Sequence, residues 1–269
     1  MKWKNYLYIL PLLILSACSK FEFDPNQSVD LKSSDRLNFA NIDKITHASG
    51  NEELTFIVTG DTHLDYENTK RMVKLVNNDK RVDFVIHVGD LTDHGLLKEY
   101  EWKTAILQQL NVPYLVAIGN HDIVSRGEDV YKHMYGPTNF SVVIDSVKFI
   151  FYNNNGREYD FKGNVPDLSW LEKELTKEKH FTRAVLVSHV PYWDKDYDLG
   201  IKPGYLKVIN KAHESVEILA AFNGHLHEPT VHESPETPVR HILPGAVNRK
   251  TYLKVTITKA ELTYENIYF

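Results

Sequence analysis

The sequence predicts an α/β fold built around a parallel sheet. Three observations lead there. From residue 54 onward, near-continuous apolar runs of strand length alternate with segments of helical period. The runs are apolar at successive positions, as in strands covered on both faces. Polar residues with metal-binding side chains follow these runs at their carboxyl ends, where open α/β sheets bind ligands.

Taken in order, Leu54-Thr55-Phe56-Ile57-Val58-Thr59 is an apolar, β-branched strand. The stretch NTKRMVKLVNND puts Met72, Val73, Leu75 and Val76 at helical spacing. VDFVIHVGD is a second strand, LLKEYEWKTAILQQL a second amphipathic helix, and VPYLVAIGN a third strand. This βαβ rhythm gives a parallel arrangement in the first half. The second half differs. FSVVIDSVKFIFYNN reads as two strands joined near Asp145-Ser146, and DLSWLEKELTKEK as a helix with Asp167 as N-cap. RAVLVSHVP is again a buried strand, and YLKVINKAHE a helix. ILAAFNGHLH, VRHILPGA and a final hairpin, TYLKVTITKAELTYENI, complete it. No linker interrupts 53–269, which is expected to be one domain.

The amino terminus has another character. MKWKNYLYILPLLILSACSK begins with Lys2 and Lys4 and carries an apolar stretch from Tyr6 to Leu15. The small residues Ser16, Ala17 and Cys18 follow. That is the pattern of a secretory signal, too short to span a bilayer, which takes about 20 residues. Its ending resembles the lipobox of bacterial lipoproteins. The expectation is a signal peptide over 1–17, lipidation at Cys18, and attachment to a membrane, with Ser19 resembling an outer-membrane address. Cys18 is the only cysteine, so the chain forms no internal disulfide. Residues 18–52 are polar and weakly periodic, and are expected to be a lipidated tether with at most one short ordered piece. Processing would remove Lys2 and Lys4, leaving 29 basic against 36 acidic residues, a net charge of −7 instead of −5. An acidic exterior argues against general nucleic-acid binding. Nothing in the sequence calls for an obligate protein partner.

The chemistry sits at the strand ends. Asp61 and His63 follow Thr59-Gly60; Asp90 follows Val88-Gly89; Asn120 and His121 follow Ile118-Gly119. His189 follows Val187-Ser188, and His225 and His227 follow Asn223-Gly224. Glycine permits the sharp turn and lets the backbone approach a bound group. Oxygen donors from Asp61, Asp90 and Asn120, with the imidazoles of His63, His189, His225 and His227, form a mixed set. It suits Mn, Fe or Zn better than Ca or Mg. Seven donors exceed what one tetrahedral ion uses, and fit two divalent or trivalent ions sharing one carboxylate.

These residues resemble the calcineurin-like metallophosphoesterase superfamily. Its ordered pattern appears here as Asp61-Thr62-His63; Gly89-Asp90-Leu91-Thr92-Asp93; Gly119-Asn120-His121-Asp122; His189; and Gly224-His225-Leu226-His227. The Asp-terminated third motif is similar to the class III cyclic-nucleotide phosphodiesterase branch. The resemblance implies a four-layer αββα sandwich. It implies that Asp61, His63, Asp90 and His227 hold one ion, and that Asp90 bridges to a second held by Asn120, His189 and His225. Two such cations would lower the pKa of a shared water, whose bridging hydroxide would attack phosphorus in line with the leaving oxygen, and would offset phosphoryl charge. His121, which is no ligand in the family pattern, would protonate the departing alkoxide. Asp122 is expected to orient its ring, and Asp93 either supports the ligands or is a plain turn residue. The substrate would be a phosphate ester, diester or monoester. The alternative is a metal-containing surface binding protein without turnover.

Other polar residues carry open readings. His87 lies inside a strand and reads as a hydrogen-bonded core histidine. His94 either lines the site or does not. Asn153, Asn154, Asn155 and Arg157 end a strand and either face substrate or form a turn. Tyr192, Trp193, Tyr197 and Lys202, just after His189, either cap the site or anchor a surface loop.

Overall fold

The computed structural model describes residues 36–48, 53–163 and 165–269. The signal segment, the lipidation site Cys18 and most of the tether lie outside the described residues. Among the described residues, no helix is long and apolar enough to cross a membrane.

Two sheets lie face to face. The first is formed by β1 (Leu54–Thr59), β2 (Phe84–His87), β3 (Tyr114–Val116), β10 (Thr251–Ile257) and β11 (Leu262–Tyr268), in the order β11-β10-β1-β2-β3. The second is formed by β4 (Phe140–Ile144), β5 (Val147–Phe151), β6 (Arg183–Val187), β7 (Glu217–Phe222), β8 (Pro229–Ser234) and β9 (Thr237–Pro244), in the order β4-β5-β6-β7-β9-β8. Strands β1, β2 and β3 are mutually parallel, and so are β5, β6, β7 and β9. Antiparallel hairpins occupy the margins. The second half is thus as parallel at its centre as the first, and its hairpin character is confined to the outer strands.

Alternation along the strands explains the layers. Phe56 and Val58 of β1 face inward with Phe84 and Ile86, and meet Phe149, Phe151, Val187 and Phe222 of the other sheet. Ile57, Val85 and Val116 point the other way, onto α2 (Tyr66–Asn78), α3 (Leu97–Leu107) and α4 (Gly127–Met134). On the far side, Ile150, Ala184 and Leu186 meet α5 (Leu168–Glu174) and α6 (Lys202–His213). Helices therefore cover both outer faces, and the expected αββα sandwich is present. Asp167 caps α5 as expected, accepting from the N–H groups of Ser169 and Trp170.

β8 and α4 were not read from the sequence, while α1 (Leu37–Ala48) is the one short ordered piece allowed for within residues 18–52. Helix α1 packs against the outermost strand of the first sheet. The Asn38 amide reproduces a strand partner there, donating to Val116 C=O at 3.0 Å and accepting from Val116 N–H at 2.9 Å. Asn41 donates to Tyr114 C=O at 2.8 Å. The α1 sequence, LNFANIDKITHA, has a weak apolar stripe: Ile45 enters the core between the sheets, while Asn38 and Asn41 add amide-to-backbone hydrogen bonds.

Replacing Asn38 with Ala orphans the buried Val116 N–H, while Tyr131 Oη still serves the carbonyl. The expected loss is about 1–3 kcal/mol, read as a lower urea midpoint with an unchanged slope. An unaltered midpoint would show that α1 adds nothing to the folded domain.

Candidate active site

Because the central strands of both sheets are parallel, their carboxyl ends meet along one edge, and the polar residues that follow them converge. Cross-links fix the junction. His189 Nδ1–H donates to Val88 C=O at 2.9 Å, joining β6 of one sheet to β2 of the other. Asn155 donates to Ile118 C=O at 3.2 Å. A Cβ added to Gly119 would sit 2.1 Å from Asp90 N, so this approach admits only glycine.

The donors fall into two sets that share Asp90. Asp61, His63, Asp90 and His227 bring ligand atoms within 4.8 Å of one another. The Asn120 amide oxygen lies 3.0 Å from His189 Nε2 and 3.1 Å from His225 Nδ1. Asp90 Oδ2 lies 3.2 Å from His189 Nε2 and 3.7 Å from His63 Nε2, between the two groups. Its other oxygen accepts the His121 N–H at 2.9 Å. Asp61, His63, Asp90, His225 and His227 all have positive φ, from 41° to 72°. That conformation costs an L-residue about 1–2 kcal/mol, and clusters at sites where geometry is enforced.

The donors fit a pair of cations on the evidence of their own unmet bonding. Asp61 Oδ2 is buried without a hydrogen-bond partner. His63 Nε2 and His227 Nε2 face each other at 3.3 Å. Burial lowers the pKa of both rings, and of His225, which favours the neutral form that ligates. Burial also pushes Asp61 up to about 7, against the pull of His189. Burial opposes charge on His189, yet the adjoining Asp90 carboxylate prevails and raises that ring to about 10. Asp90 in turn is held below the usual carboxylate range, despite its burial, chiefly by His189.

His121 stands at the rim, its ring 40% exposed and edge-on to His63 at 4.8 Å. Its Nδ1 lies 2.8 Å from the Asp93 carbonyl oxygen. This corrects the role expected for Asp122. The Asp122 carboxylate does not hold the His121 ring. It accepts from the N–H groups of Gly119, Leu91 and Thr92 and from the Thr92 hydroxyl, at 2.9–3.2 Å. It is a buried tie between the second and third motif loops, and burial raises its pKa to about 6. Asp93 does both jobs on the exposed side, with its carboxylate 3.3 Å from His63 Nδ1. His94 lies beyond it, 63% exposed and 3.5 Å from the Asp93 carboxylate.

His87 is the hydrogen-bonded core histidine expected, and the open readings resolve. His87 is buried, its Nδ1 accepting from Gly89 N–H and its Nε2 donating to Thr62 Oγ1, and burial lowers its pKa to about 3. Asn154 does not face substrate: its side-chain oxygen accepts from the His189 and Val190 N–H groups. Asn153 and Asn155 are buried beside it. Tyr192 does not cap the site; it is 1% exposed in the core beneath α6, with Tyr197. Trp193 stacks on His232 of β8 at 3.7 Å, and Lys202 lies over the Tyr192 ring. The aromatics anchor this loop, while its acidic residues reach the site: Asp194 and Asp196 lie 3.4 and 3.2 Å from His225 Nε2. The sequence reading missed both, although Asp-x-Asp so soon after a strand-end histidine was a usable signal. It also missed Lys103, which is fully buried and donates to the carbonyls of Thr62 and Asp65 around the Asp61–His63 turn. Its spacing from Tyr100 and Leu107 places it on the inner face of α3.

Cation loading must displace the protons that Asp61 and His189 carry near neutral pH. Affinity is expected to rise with pH. Calorimetry in buffers of different ionisation enthalpy should show more protons released near about pH 6 than near about pH 8. Equal affinity at both, without proton release, would contradict the assignment.

Known proteins resemble this chain in sequence and in fold. The sequence model described as calcineurin-like phosphoesterase matches residues 54–229. A probable glycerophosphodiester phosphodiesterase, GpdQ, from Arcobacter nitrofigilis is 30% identical over 123 residues, which are 43% of this chain and 45% of that protein. The chain therefore spans under half the length of this relative. A dimetal phosphatase from Danio rerio superposes with a TM-score of 0.66 at 13% identity, over 79% of this chain and 95% of that one. A Plasmodium protein described as GAP50, the anchor in the inner membrane complex, superposes at 0.61 with 14% identity, over 80% and 84% of the two chains. Purple acid phosphatase PPD1 from yellow lupin does so at 0.59 with 14% identity, over 80% and 51%. These structures share the fold. With the family match extending over more than half its length, the chain belongs to the calcineurin-like phosphoesterases.

Proposed function

We propose that this chain is an exported, lipid-anchored phosphodiesterase that uses two metal ions, with His121 as the acid for the departing alcohol. One observation carries the reading: Asp90 stands between two complete donor sets, and a histidine outside both sets stands beside them. Bound at these two sets, the ions would supply an acidified water and offset charge on the phosphoryl oxygens.

The protein's own part is positioning and proton transfer. Asp90 Oδ1 receives the backbone N–H of His121, so the acid is registered against the carboxylate common to both donor sets. The Asp93 carbonyl holds the Nδ1–H, which leaves Nε2 as the atom that exchanges protons with substrate. The ring's exposure at the rim lets a leaving alcohol of variable size approach. A diester is favoured over a monoester by the relative described as a glycerophosphodiester phosphodiesterase. Export and anchoring rest on residues 1–18, with their basic start, short apolar core and single cysteine.

With His121→Ala, both ions should still bind while diester hydrolysis slows by about 10²–10⁴; elemental analysis and steady-state rates check this. An unslowed variant would remove His121 from the chemistry. With metal loading confirmed, bis-p-nitrophenyl phosphate and glycerophosphodiesters should turn over faster than p-nitrophenyl phosphate. Absence of turnover on every phosphate ester tested would favour the non-catalytic binding protein.

A further inference from the structure

The distal ring nitrogens of the candidate ligands are held in unlike ways. His63 presents Nε2 to the site and has Asp93 at Nδ1. His189 also presents Nε2, with the Val88 carbonyl at Nδ1. His225 is reversed: Nδ1 faces the Asn120 oxygen at 3.1 Å, and Nε2 points away toward Asp194 and Asp196 at 3.4 and 3.2 Å.

Those two carboxylates are themselves fixed. Asp194 Oδ1 accepts the Asp196 N–H at 2.8 Å, so the pair is braced within its own turn. Asp196 Oδ2 accepts from Arg157 Nη1 at 2.8 Å, and its carbonyl accepts the Arg157 N–H at 3.3 Å. Beneath the turn, Gly156 lies so close to Asp198 that an added Cβ would sit 2.8 Å from Asp198 N. Arg157 balances part of the negative charge, which makes this cluster a poor site for another cation. It serves as a handle on the ring instead.

We propose that Asp194 and Asp196, braced by Arg157, are positioning residues for the second metal ion. They hold the proton of His225 on Nε2 and fix the ring's rotation, so that the Nδ1 lone pair is aimed at the ion held with Asn120 and His189. Carboxylates on the far side of a ligating imidazole orient it and strengthen it as a donor. The loop after His189 thereby sets the occupancy of one metal position and not the other. This inference rests on the two-ion reading above.

The test is stepwise Zn²⁺ titration of metal-stripped full-length protein by calorimetry, comparing the unmutated chain with Asp194→Asn/Asp196→Asn. The unmutated chain should take up two ions. The double variant should keep the affinity of the first step and lose about 10–100-fold in the second, with the melting temperature of the metal-free protein unchanged. Asp194→Asn and Asp196→Asn alone carry the same test if the double variant fails to fold, each weakening only the second step. Two ions in the unmutated chain and unchanged second-step affinity in the variants overturn the role of these carboxylates alone. One ion in the unmutated chain overturns the two-ion reading and this inference with it.

Discussion

Asp61, Asp90 and Asp122 lie buried at one edge of the sandwich, close enough to disfavour one another's ionisation. Burying like charges together is a severe electrostatic problem, and much of the surrounding structure answers it. Asp122 is met by three backbone N–H groups and a hydroxyl. Asp90 is met by His189 and by a backbone N–H. Asp61 is only half met, with one oxygen left alone. The remaining imbalance is a demand for positive charge, which bound metal satisfies.

That demand explains the architecture. A single open sheet offers one row of strand ends. Two parallel-centred sheets packed face to face offer two rows converging on one volume, so oxygen donors from the first and imidazoles from the second can meet. The left-handed backbone of five donors is sustained because each lies two to five residues beyond the end of a strand locked on both faces. Rigid strands thus supply the support for locally costly turns.

Much of this was legible in the letters. Strand, Gly and donor recur in fixed order, and the donors sit where a parallel sheet ends, so spacing was enough to pick out the seven side chains that converge there. Roles that depend on which way a side chain turns were not legible. Asp122 follows His121 in sequence, yet its side chain points inward to backbone N–H groups while the ring points out; adjacency gave the wrong partner. Tyr192 and Trp193, which follow His189, read equally as a cap or as loop anchors; Tyr192 is buried in the core and Trp193 packs against it, where apolar area is worth more than over a wet site. Helix α1 was legible only as a short ordered piece, because the amides of Asn38 and Asn41 share its grip on the domain with Ile45 and its apolar stripe is weak.

That last attachment has a practical side. A soluble fragment trimmed to begin at Glu53, where the first strand's apolar run announces itself, would strip α1 from β3. The backbone groups of Tyr114 and Val116 now served by Asn38 and Asn41 would face solvent along an open flank. Such flanks recruit strands from neighbouring molecules, so the cut would bring a tendency to clump. A fragment for study should begin upstream of Leu37.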